Sequence, residues 1–459
     1  MKKSSRVKLA IALVVLVALV VLCVKRWDVW FGNPPEASFE VEEKIDRVLL
    51  TMGDETNSRY VTWVSGGSEG SCWLDYYAIG SSDTLTIEAE PQVYHSRSGK
   101  TCFYSASLEN LKNGADYSYR VRAISDSTDW YNFHYQDSID FSFLFFGDVQ
   151  EDEDAGFDTL LPAAVRQNKD VQFLLFGGDL IERPTDHYWR ITHRMLDSVK
   201  KNYPILSVTG NHEYLKGVER TLEERFPLTF KYFQKNMKAH GENALYTFAQ
   251  GDARFYFLDS NRDFWNFFQQ RTWLKEQLEQ SKQKWNVVVL HHPLHSVRGR
   301  FRNLMQRLFF DGVIEDYGVD LVLQGHEHVY ARFDVETEEG QMVGPLRLVS
   351  YASQKVYNMT FVGDVCKWGT GERFYQRITL SADTLNLKTY VMGKELYDNV
   401  SIVKNAEGRR FIDEGQQIPQ RIYVPEWFRK NKRAKRVKEF SDNVEEWKAE
   451  HPDAVIREE

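Results

Sequence analysis

Five apolar runs in this 459-residue chain each end in a cluster of side chains that can bind a metal ion. Amphipathic segments of helical period separate the runs, and this alternation predicts a layered α/β domain. Ligands of α/β sheets gather at the carboxyl ends of the strands, so we expect the five clusters to meet at one edge. In chain order, the clusters are Asp148, Gly177-Gly178-Asp179, Gly210-Asn211-His212-Glu213, His291-His292-Pro293 and Gly325-His326-Glu327-His328.

Each cluster taken alone has an ordinary structural explanation, because an aspartate after a strand often caps a turn. Five such clusters in order are not explained as caps and turns, and together they predict a metal site. Carboxylate, amide and imidazole ligands suit iron, zinc or manganese and fit soft metals poorly.

The ordered clusters resemble the motifs of the calcineurin-like metallophosphoesterase superfamily over residues 140–395. Within that superfamily the chain is most similar to purple acid phosphatases, which place a fibronectin-III-like sandwich before the catalytic domain. The run GHEHVYAR, from Gly325 to Arg332, is similar to the last motif of that branch. The resemblance implies an αββα-type layered domain, two divalent ions (Zn, Mn or Fe), and hydrolysis of small-molecule phosphomonoesters by a metal-bridging hydroxide.

The resemblance also implies a set of metal ligands. Asp179 would bridge the two ions, and Asp148 and His328 would hold the first ion. The second ion would be held by Asn211, His291 and His326. His291 is chosen over His292 because the ligand of the family lies two residues before the proline, which leaves His292 as a structural neighbour.

The same resemblance implies that His212 is the catalytic histidine. It follows the ligand Asn211 and would contact the phosphate and help to protonate or stabilise the leaving oxygen. Glu213 would orient His212 by a hydrogen bond. The loop from Leu294 to Asn303, which contains His295, Arg298, Arg300 and Arg302, is compatible with phosphate contacts or with a solvated basic loop.

Two positions depart from the pattern of the relatives. Purple acid phosphatases have GDxxY, whose tyrosine ligates ferric iron and gives the colour, but Glu182 stands at that place here. Most other members of the superfamily have histidine two residues after the first aspartate, where this chain has Gln150. We expect the Gln150 amide oxygen to complete the shell of the first ion, with Glu182 or water as alternatives. The iron colour should then be absent.

Residues 34–139 contain short alternating apolar runs separated by turn-forming stretches, which predicts an all-β sandwich. Cys72 and Cys102 fall in this region and are compatible with one disulfide or with two buried thiols. A module of this kind also has a binding alternative, in which the sandwich recognises carbohydrate.

Residues 1–33 predict a membrane anchor. Basic residues precede an apolar run from Leu9 to Val24, and Trp27 and Trp30 follow it. An uncleaved transmembrane signal anchor, with the rest of the chain exported, is favoured over a cleaved signal peptide because no small-residue cleavage pattern follows the run.

Residues 396–459 are predicted as a polar C-terminal extension that ends in a charged helix beginning near Trp427. A docked surface helix is favoured over a helix that binds a partner or a membrane. The net charge of −8 argues against nucleic-acid binding, and the sequence gives no oligomeric state. The alternatives to a phosphomonoesterase are a phosphodiesterase of the same fold and a non-catalytic surface protein that retains a metal.

Overall fold

The structure is a computed structural model of the chain. It describes residues 3–33, 35–37, 44–65, 70–151, 156–231, 244–333, 344–357, 359–361, 365–393, 395–424, 429–430 and 432–458. The helices are Lys3–Phe31, Phe157–Gln167, Asp186–Met195, Arg225–Thr229, Phe264–Gln280, Leu304–Asp316 and Ala434–Glu450, with a 3-10 turn at Asn211–Glu213.

The N-terminal helix Lys3–Phe31 carries exposed apolar side chains. Ile11 is 59% exposed and Val24 is 70% exposed. Within the described ranges, however, no helix combines the length and the apolar character that crossing a membrane requires. The transmembrane anchor predicted from the sequence is therefore not supported by the described part of the chain.

An antiparallel β-sandwich follows, as the alternating runs predicted. Its two four-stranded sheets have the orders β1-β2-β6-β5 and β4-β3-β7-β8. Trp63 and Tyr104 stack in the interior, with ring centroids 5.7 Å apart. The strands are β1 (Ile45–Met52), β2 (Arg59–Ser65), β3 (Cys72–Ala78), β4 (Leu85–Ala89), β5 (Gln92–Ser96), β6 (Gly99–Leu108), β7 (Ala115–Arg122) and β8 (Tyr131–Tyr135).

Cys72 and Cys102 are buried in this sandwich as free thiols. Burial raises the pKa of the Cys72 thiol, which keeps it neutral. Of the two alternatives from the sequence, the structure therefore has the unpaired thiols.

The α/β region consists of two larger sheets and a short hairpin. The seven-stranded sheet has the order β11-β10-β9-β21-β22-β23-β24, and the nine-stranded sheet has the order β14-β15-β16-β17-β19-β18-β20-β25-β26. The strands are β9 (Phe141–Phe146), β10 (Leu174–Phe176), β11 (Ile205–Ser207), β12 (Tyr214–Leu215), β13 (Thr221–Leu222), β14 (Tyr246–Gln250), β15 (Ala253–Leu258), β16 (Trp285–Leu290), β17 (Leu321–Gln324), β18 (Tyr330–Phe333), β19 (Leu346–Val349), β20 (Lys367–Thr370), β21 (Phe374–Leu380), β22 (Thr384–Val391), β23 (Leu396–Asn405), β24 (Gly408–Asp413), β25 (Arg421–Val424) and β26 (Val455–Glu458).

Aromatic side chains fill the space between these two sheets. Phe143 of β9 stacks on Phe173 at 4.8 Å and meets Phe255 of β15 edge-on at 5.4 Å. Phe143 and Phe255 belong to different sheets, so this contact joins them face to face. The layered α/β fold predicted from the sequence is confirmed.

The strands that follow residue 395 continue both sheets. β23 and β24 extend the seven-stranded sheet, and β25 and β26 extend the nine-stranded sheet. The predicted boundary between 140–395 and 396–459 therefore falls between two paired strands. The helix Ala434–Glu450 is docked, as favoured, because Phe440 and Trp447 are buried against Phe361. Trp427, its predicted start, lies outside the described residues.

The sandwich packs beside the strand that leads to the third site cluster and beside the helix Arg225–Thr229. The Thr51 hydroxyl donates to the carbonyl oxygen of Ile205 in β11 at 2.7 Å. The Thr62 hydroxyl donates to the Thr229 carbonyl at 2.9 Å. These contacts fix the sandwich next to β11, whose carboxyl end leads to Asn211.

Candidate metal centre

The five predicted clusters lie at the carboxyl ends of five strands. Asp148 follows β9 and Asp179 follows β10 in one sheet, whereas His291 follows β16 in the other sheet. Asn211 follows β11, and His326 and His328 follow β17. The parallel pairing of β9, β10 and β11, and that of β16 with β17, brings these ends to the same side of the domain.

Tight backbone turns present several of these side chains. Asp179, His326 and His328 have positive φ angles of 49°, 72° and 50°. Residues with side chains rarely adopt this conformation, and such strain concentrates at functional sites. The turn geometry thus agrees with a role that depends on the direction of these side chains.

One group of side chains meets around the Nε2 atom of His291. This atom lies 3.2 Å from Asp179 Oδ2, 3.3 Å from Asn211 Oδ1 and 3.3 Å from His326 Nδ1. Asp179, His291 and His326 offer ligand atoms that all lie within 4.8 Å of one another. These four residues are those that the sequence assigned to the bridging position and to the second ion.

A second group meets around the Nε2 atom of His328. It lies 3.6 Å from Asp148 Oδ1 and 3.0 Å from the amide nitrogen of Gln150. The amide oxygen of Gln150 is buried and has no hydrogen-bond partner among the described residues. A half-turn of the amide exchanges its oxygen and nitrogen, so that the oxygen lies beside His328 Nε2. Two ligand atoms with bonds of about 2.1 Å to one ion lie roughly 3.0–3.4 Å apart. The spacing of Gln150 and His328 therefore suits two ligands of one ion.

Backbone carbonyl oxygens set the direction of two imidazoles. The Nδ1–H of His291 donates to Gly177 at 2.8 Å, and the Nδ1–H of His328 donates to Lys355 at 2.9 Å. In each ring the Nε2 atom then faces a carboxylate, Asp179 for His291 and Asp148 for His328. Metal-binding histidines typically have this arrangement.

The electrostatics of the pocket favour a bound cation. Burial raises the pKa of Asp148 to about 7, and the nearby charge of Asp179 adds to this rise. Oδ1 of Asp148 is buried without a hydrogen-bond partner in the described ranges. Burial also lowers the pKa of His326, and that of His328 to about 3, which leaves both rings neutral as metal ligands must be.

His212 lies at the open side of this pocket. Its backbone N–H donates to Asp179 Oδ1 at 2.9 Å, and its ring Nδ1–H donates to the carbonyl oxygen of Glu182. Its Nε2 atom lies 3.9 Å from Asp179 Oδ2, and the side chain is 25% exposed. Access from solvent and closeness to the carboxylates suit a residue that contacts a substrate.

Glu213 makes contacts other than those that the sequence suggested. Its carboxylate accepts backbone N–H groups of Gly210 at 2.7 Å, Leu180 at 2.8 Å and Asp179 at 3.1 Å. Burial and the charge of Asp179 raise its pKa to about 7. These hydrogen bonds of Glu213 thus join the loops that carry Asp179 and Asn211, and the carbonyl of Glu182 holds His212 instead.

Gln150 and Glu182, the two alternative ligands for the first ion, make different contacts in the structure. Gln150 lies against His328, whereas the Glu182 carboxylate forms an ion pair with Lys355. His292 contacts the Ser260 hydroxyl at 2.9 Å, in agreement with its prediction as a structural neighbour.

The sequence suggested only that the stretch 351–359 returns to the site as a wall, and it gave none of these residues a role in supporting His328. Besides Lys355, the Ser353 hydroxyl lies 3.0 Å from His328 Nδ1, and the Tyr357 ring centroid lies 4.5 Å from the His328 ring. The only available signal was the position of these residues after a buried strand, β19.

Comparisons with known proteins agree with this architecture. Residues 141–330 match the family described as "Calcineurin-like phosphoesterase", and residues 45–135 match "Purple acid Phosphatase, N-terminal domain". The chain joins a calcineurin-like phosphoesterase domain to a purple acid phosphatase N-terminal domain. The resemblance drawn from the sequence motifs is thereby confirmed for both the sandwich and the α/β domain.

The curated relatives of the chain include purple acid phosphatases and a phosphoenolpyruvate phosphatase. The phosphoenolpyruvate phosphatase of Allium cepa is 24% identical over 317 residues, with 62% of each chain covered. The purple acid phosphatase of Glycine max is 23% identical, with 62% of this chain and 65% of the relative covered. The Fe(3+)-Zn(2+) purple acid phosphatase 12 of Arabidopsis thaliana is 22% identical, with 62% and 64% covered. The match thus spans less than two thirds of each of these relatives.

Solved structures show the same fold. A purple acid phosphatase from yellow lupin seeds (Lupinus luteus) has a TM-score of 0.63 at 16% identity, with 81% of this chain and 76% of that chain covered. The structure of PhoD has a TM-score of 0.59 at 11% identity, with 91% of this chain and 100% of that chain covered. At these identities the likeness concerns the fold alone.

Proposed function

We propose that the protein is a metal-dependent phosphoesterase that hydrolyses phosphomonoesters. The observation that carries this proposal is a pair of buried oxygens, Asp148 Oδ1 and Gln150 Oε1, beside the Nε2 atom of His328. Neither oxygen has a hydrogen-bond partner among the described residues. Buried polar atoms are rarely left without partners, so the convergence of these oxygens with a histidine favours the binding of a cation. The match to the calcineurin-like phosphoesterase family adds the reaction class.

The proposed ligands fall into two sets that share Asp179. The first set is Asp148, Gln150, Asp179 and His328, and the second is Asp179, Asn211, His291 and His326. The mixture of carboxylate, amide and imidazole donors fits two divalent ions such as Zn, Mn or Fe. When bound, such a pair clamps the phosphate and makes a nucleophile from water near neutral pH.

His212 acts on the substrate in this proposal. With Nδ1–H held by the Glu182 carbonyl, the protonated ring donates from Nε2 to a phosphate oxygen or to the leaving oxygen. Glu213 acts indirectly, because it fixes the loops that carry Asp179 and Asn211. Hydrolysis therefore depends on these two loops keeping their positions relative to each other.

Hydrolysis assays test the proposal. The purified protein is loaded with Mn²⁺ or Zn²⁺ and given p-nitrophenyl phosphate or bis(p-nitrophenyl) phosphate. We expect faster release from the monoester, and His212→Ala should lower kcat by about 10²–10⁴-fold. His134→Asn is the matched control, since that histidine lies on the sandwich and is 43% exposed.

The alternatives make different predictions in the same assay. A phosphodiesterase of this fold cleaves the diester faster than the monoester. A non-catalytic surface protein cleaves neither, and His212→Ala and Asn211→Ala then change nothing. Recognition of carbohydrate by the sandwich predicts that polysaccharide binds in full-length protein and is lost when exposed sandwich residues such as Trp130 are replaced.

Attachment to a membrane through residues 1–33, with the remainder exported, is a separate proposal. It is supported by the exposed apolar side chains of the helix Lys3–Phe31 and by its basic N-terminal residues. Extraction of cell membranes with alkaline carbonate tests it. Release of the full-length protein with the peripheral proteins contradicts the anchor.

A further inference from the structure

Basic side chains from two distant parts of the chain meet at one tyrosine beside the candidate metal centre. The Arg298 guanidinium lies 4.1 Å from the centroid of the Tyr357 ring, and the Lys432 ammonium lies 5.3 Å from it. The same ring contacts His328, with centroids 4.5 Å apart. A single aromatic ring therefore separates a proposed metal ligand from two cationic groups.

Further positive charge surrounds these two groups. Burial lowers the pKa of the Arg298 guanidinium, and the charges of Arg302 and Arg436 lower it further. The pKa of Lys432 is lowered by burial and by the charges of Arg436 and Arg298. Like charges gathered in this way repel one another, and an anion among them relieves that repulsion.

The charge of Arg298 is only partly balanced by the described residues. Glu327 is the nearby carboxylate that interacts with Arg298, but it accepts hydrogen bonds from the Ser296 hydroxyl and from the Val297 N–H at 2.7 Å. The buried Nε–H of Arg298 has no hydrogen-bond acceptor in the described part of the chain. This donor is thus available to an anion that contacts the cluster.

The fold holds the two halves of the cluster together. Lys432 lies two residues before the first residue of the helix Ala434–Glu450, which buries Phe440 and Trp447 against Phe361. The Asn443 amide on this helix donates to the Met359 carbonyl at 2.6 Å, two residues after Tyr357. The C-terminal segment is therefore fixed to the same stretch of chain that supports His328.

We propose that Arg298, Tyr357 and Lys432, with Arg302 and Arg436 around them, bind a second anionic group of the substrate. The preferred substrate is then an organic bisphosphate, with one phosphate at the metal centre and the other at this cluster. This inference rests on the proposed function, because it assumes that the first phosphate binds at the metal centre. Arginine and lysine suit the second phosphate because they donate charge-assisted hydrogen bonds to it.

Matched substrates test the cluster. Metal-loaded full-length protein is assayed with fructose 1,6-bisphosphate and with fructose 6-phosphate. We expect kcat/KM to be roughly tenfold higher for the bisphosphate, because one additional charge-assisted hydrogen bond contributes about this factor. Arg298→Gln and Lys432→Gln should each raise KM for the bisphosphate by about tenfold, with kcat and the rate on fructose 6-phosphate unchanged. Lys435→Gln is the control, because Lys435 is 87% exposed on the same helix.

The outcomes separate this inference from the proposed function. Equal kcat/KM values for both sugars, or variants that lower both rates alike, contradict the second phosphate site and leave the phosphomonoesterase intact. If neither sugar is cleaved, calorimetric binding to the metal-loaded protein decides. Tighter binding of the bisphosphate that Lys432→Gln abolishes supports the cluster, and equal binding of both sugars overturns it.

Discussion

The buried Glu213 carboxylate joins the two loops that carry Asp179 and Asn211, so its replacement by glutamine should disturb both. One carboxylate oxygen accepts the N–H groups of Leu180 at 2.8 Å and Ile181 at 3.4 Å. The other accepts those of Gly210 at 2.7 Å and Asp179 at 3.1 Å. Glutamine has the same shape, but its NH₂ group cannot accept a hydrogen bond.

Whichever way the new amide is turned, two of these four N–H groups lose their acceptor. Each buried group left unpaired costs about 1–3 kcal/mol, so Glu213→Gln should lower the free energy of unfolding by about 2–6 kcal/mol. The unfolding entropy of a chain this long is roughly 1 kcal/mol/K, so Tm should fall by about 2–6 °C. Because Asp179 and Asn211 shift as well, the rise in Tm on adding Mn²⁺ should shrink.

Differential scanning calorimetry with and without Mn²⁺ measures both effects. Glu279→Gln is the matched control, since its side chain is 49% exposed and such surface changes stay within about 0.5 kcal/mol. A Tm within about 1 °C of wild type, together with an unchanged response to Mn²⁺, would show that Glu213 does not organise the two loops.

Three further predictions concern the departures from the relatives and the sandwich. Gln150→Leu should weaken binding of one of two Mn²⁺ ions by about 10–100-fold in calorimetry, because it removes the proposed ligand beside His328; unchanged two-site binding contradicts that ligand. With Glu182 in place of the tyrosine, protein loaded with ferric iron should show no visible tyrosine-to-iron absorption, and a purple colour refutes this expectation. Hydrogen bonding to Arg122 lowers the pKa of Asp75 to about 2, below the pKa of an aspartate in the unfolded chain. The ion pair therefore stabilises the folded state fully above pH ~4, and this stabilisation is lost as the pH falls towards 2. Asp75→Asn should thus cost about 1–2 kcal/mol at pH 7 and little near pH 2 in urea titrations, the figure being reduced because the arginine is about a third exposed.

The five clusters were accessible from sequence because each one is local to the end of an apolar strand, and the resemblance to the family then selected the ligands within them. Parallel pairing of β9 with β10 places Asp148 beside Asp179. His291 lies in the other sheet and reaches them through the packing of the two sheets, which is a tertiary effect. The role of Glu213 was not accessible, because the side chain adjoins His212 in sequence but turns to backbone N–H groups of residues 179–181 in the fold. Backbone donors leave no trace in a sequence pattern.

The missed C-terminal strands have a different cause. β23 alternates between buried and half-exposed residues, and β24 at the edge of its sheet is largely exposed. Edge strands of a solvent-facing sheet carry many polar residues, so their sequence is similar to that of an irregular extension. Pairing with β22 decides their structure, and this pairing is a tertiary effect.

The two departures from the relatives meet at one imidazole. Gln150 contacts Nε2 of His328, and the carbonyl of Lys355 accepts a hydrogen bond from its Nδ1–H. The Lys355 side chain in turn pairs with Glu182, the residue that replaces the iron-binding tyrosine. A tyrosine at position 182 could not form that ion pair, so the glutamate ties the segment that orients His328 to the loop that carries Asp179. In the proposed centre, the change at position 182 thus replaces a metal ligand of the relatives by a residue that supports His328, and Gln150 would complete the shell of the first ion.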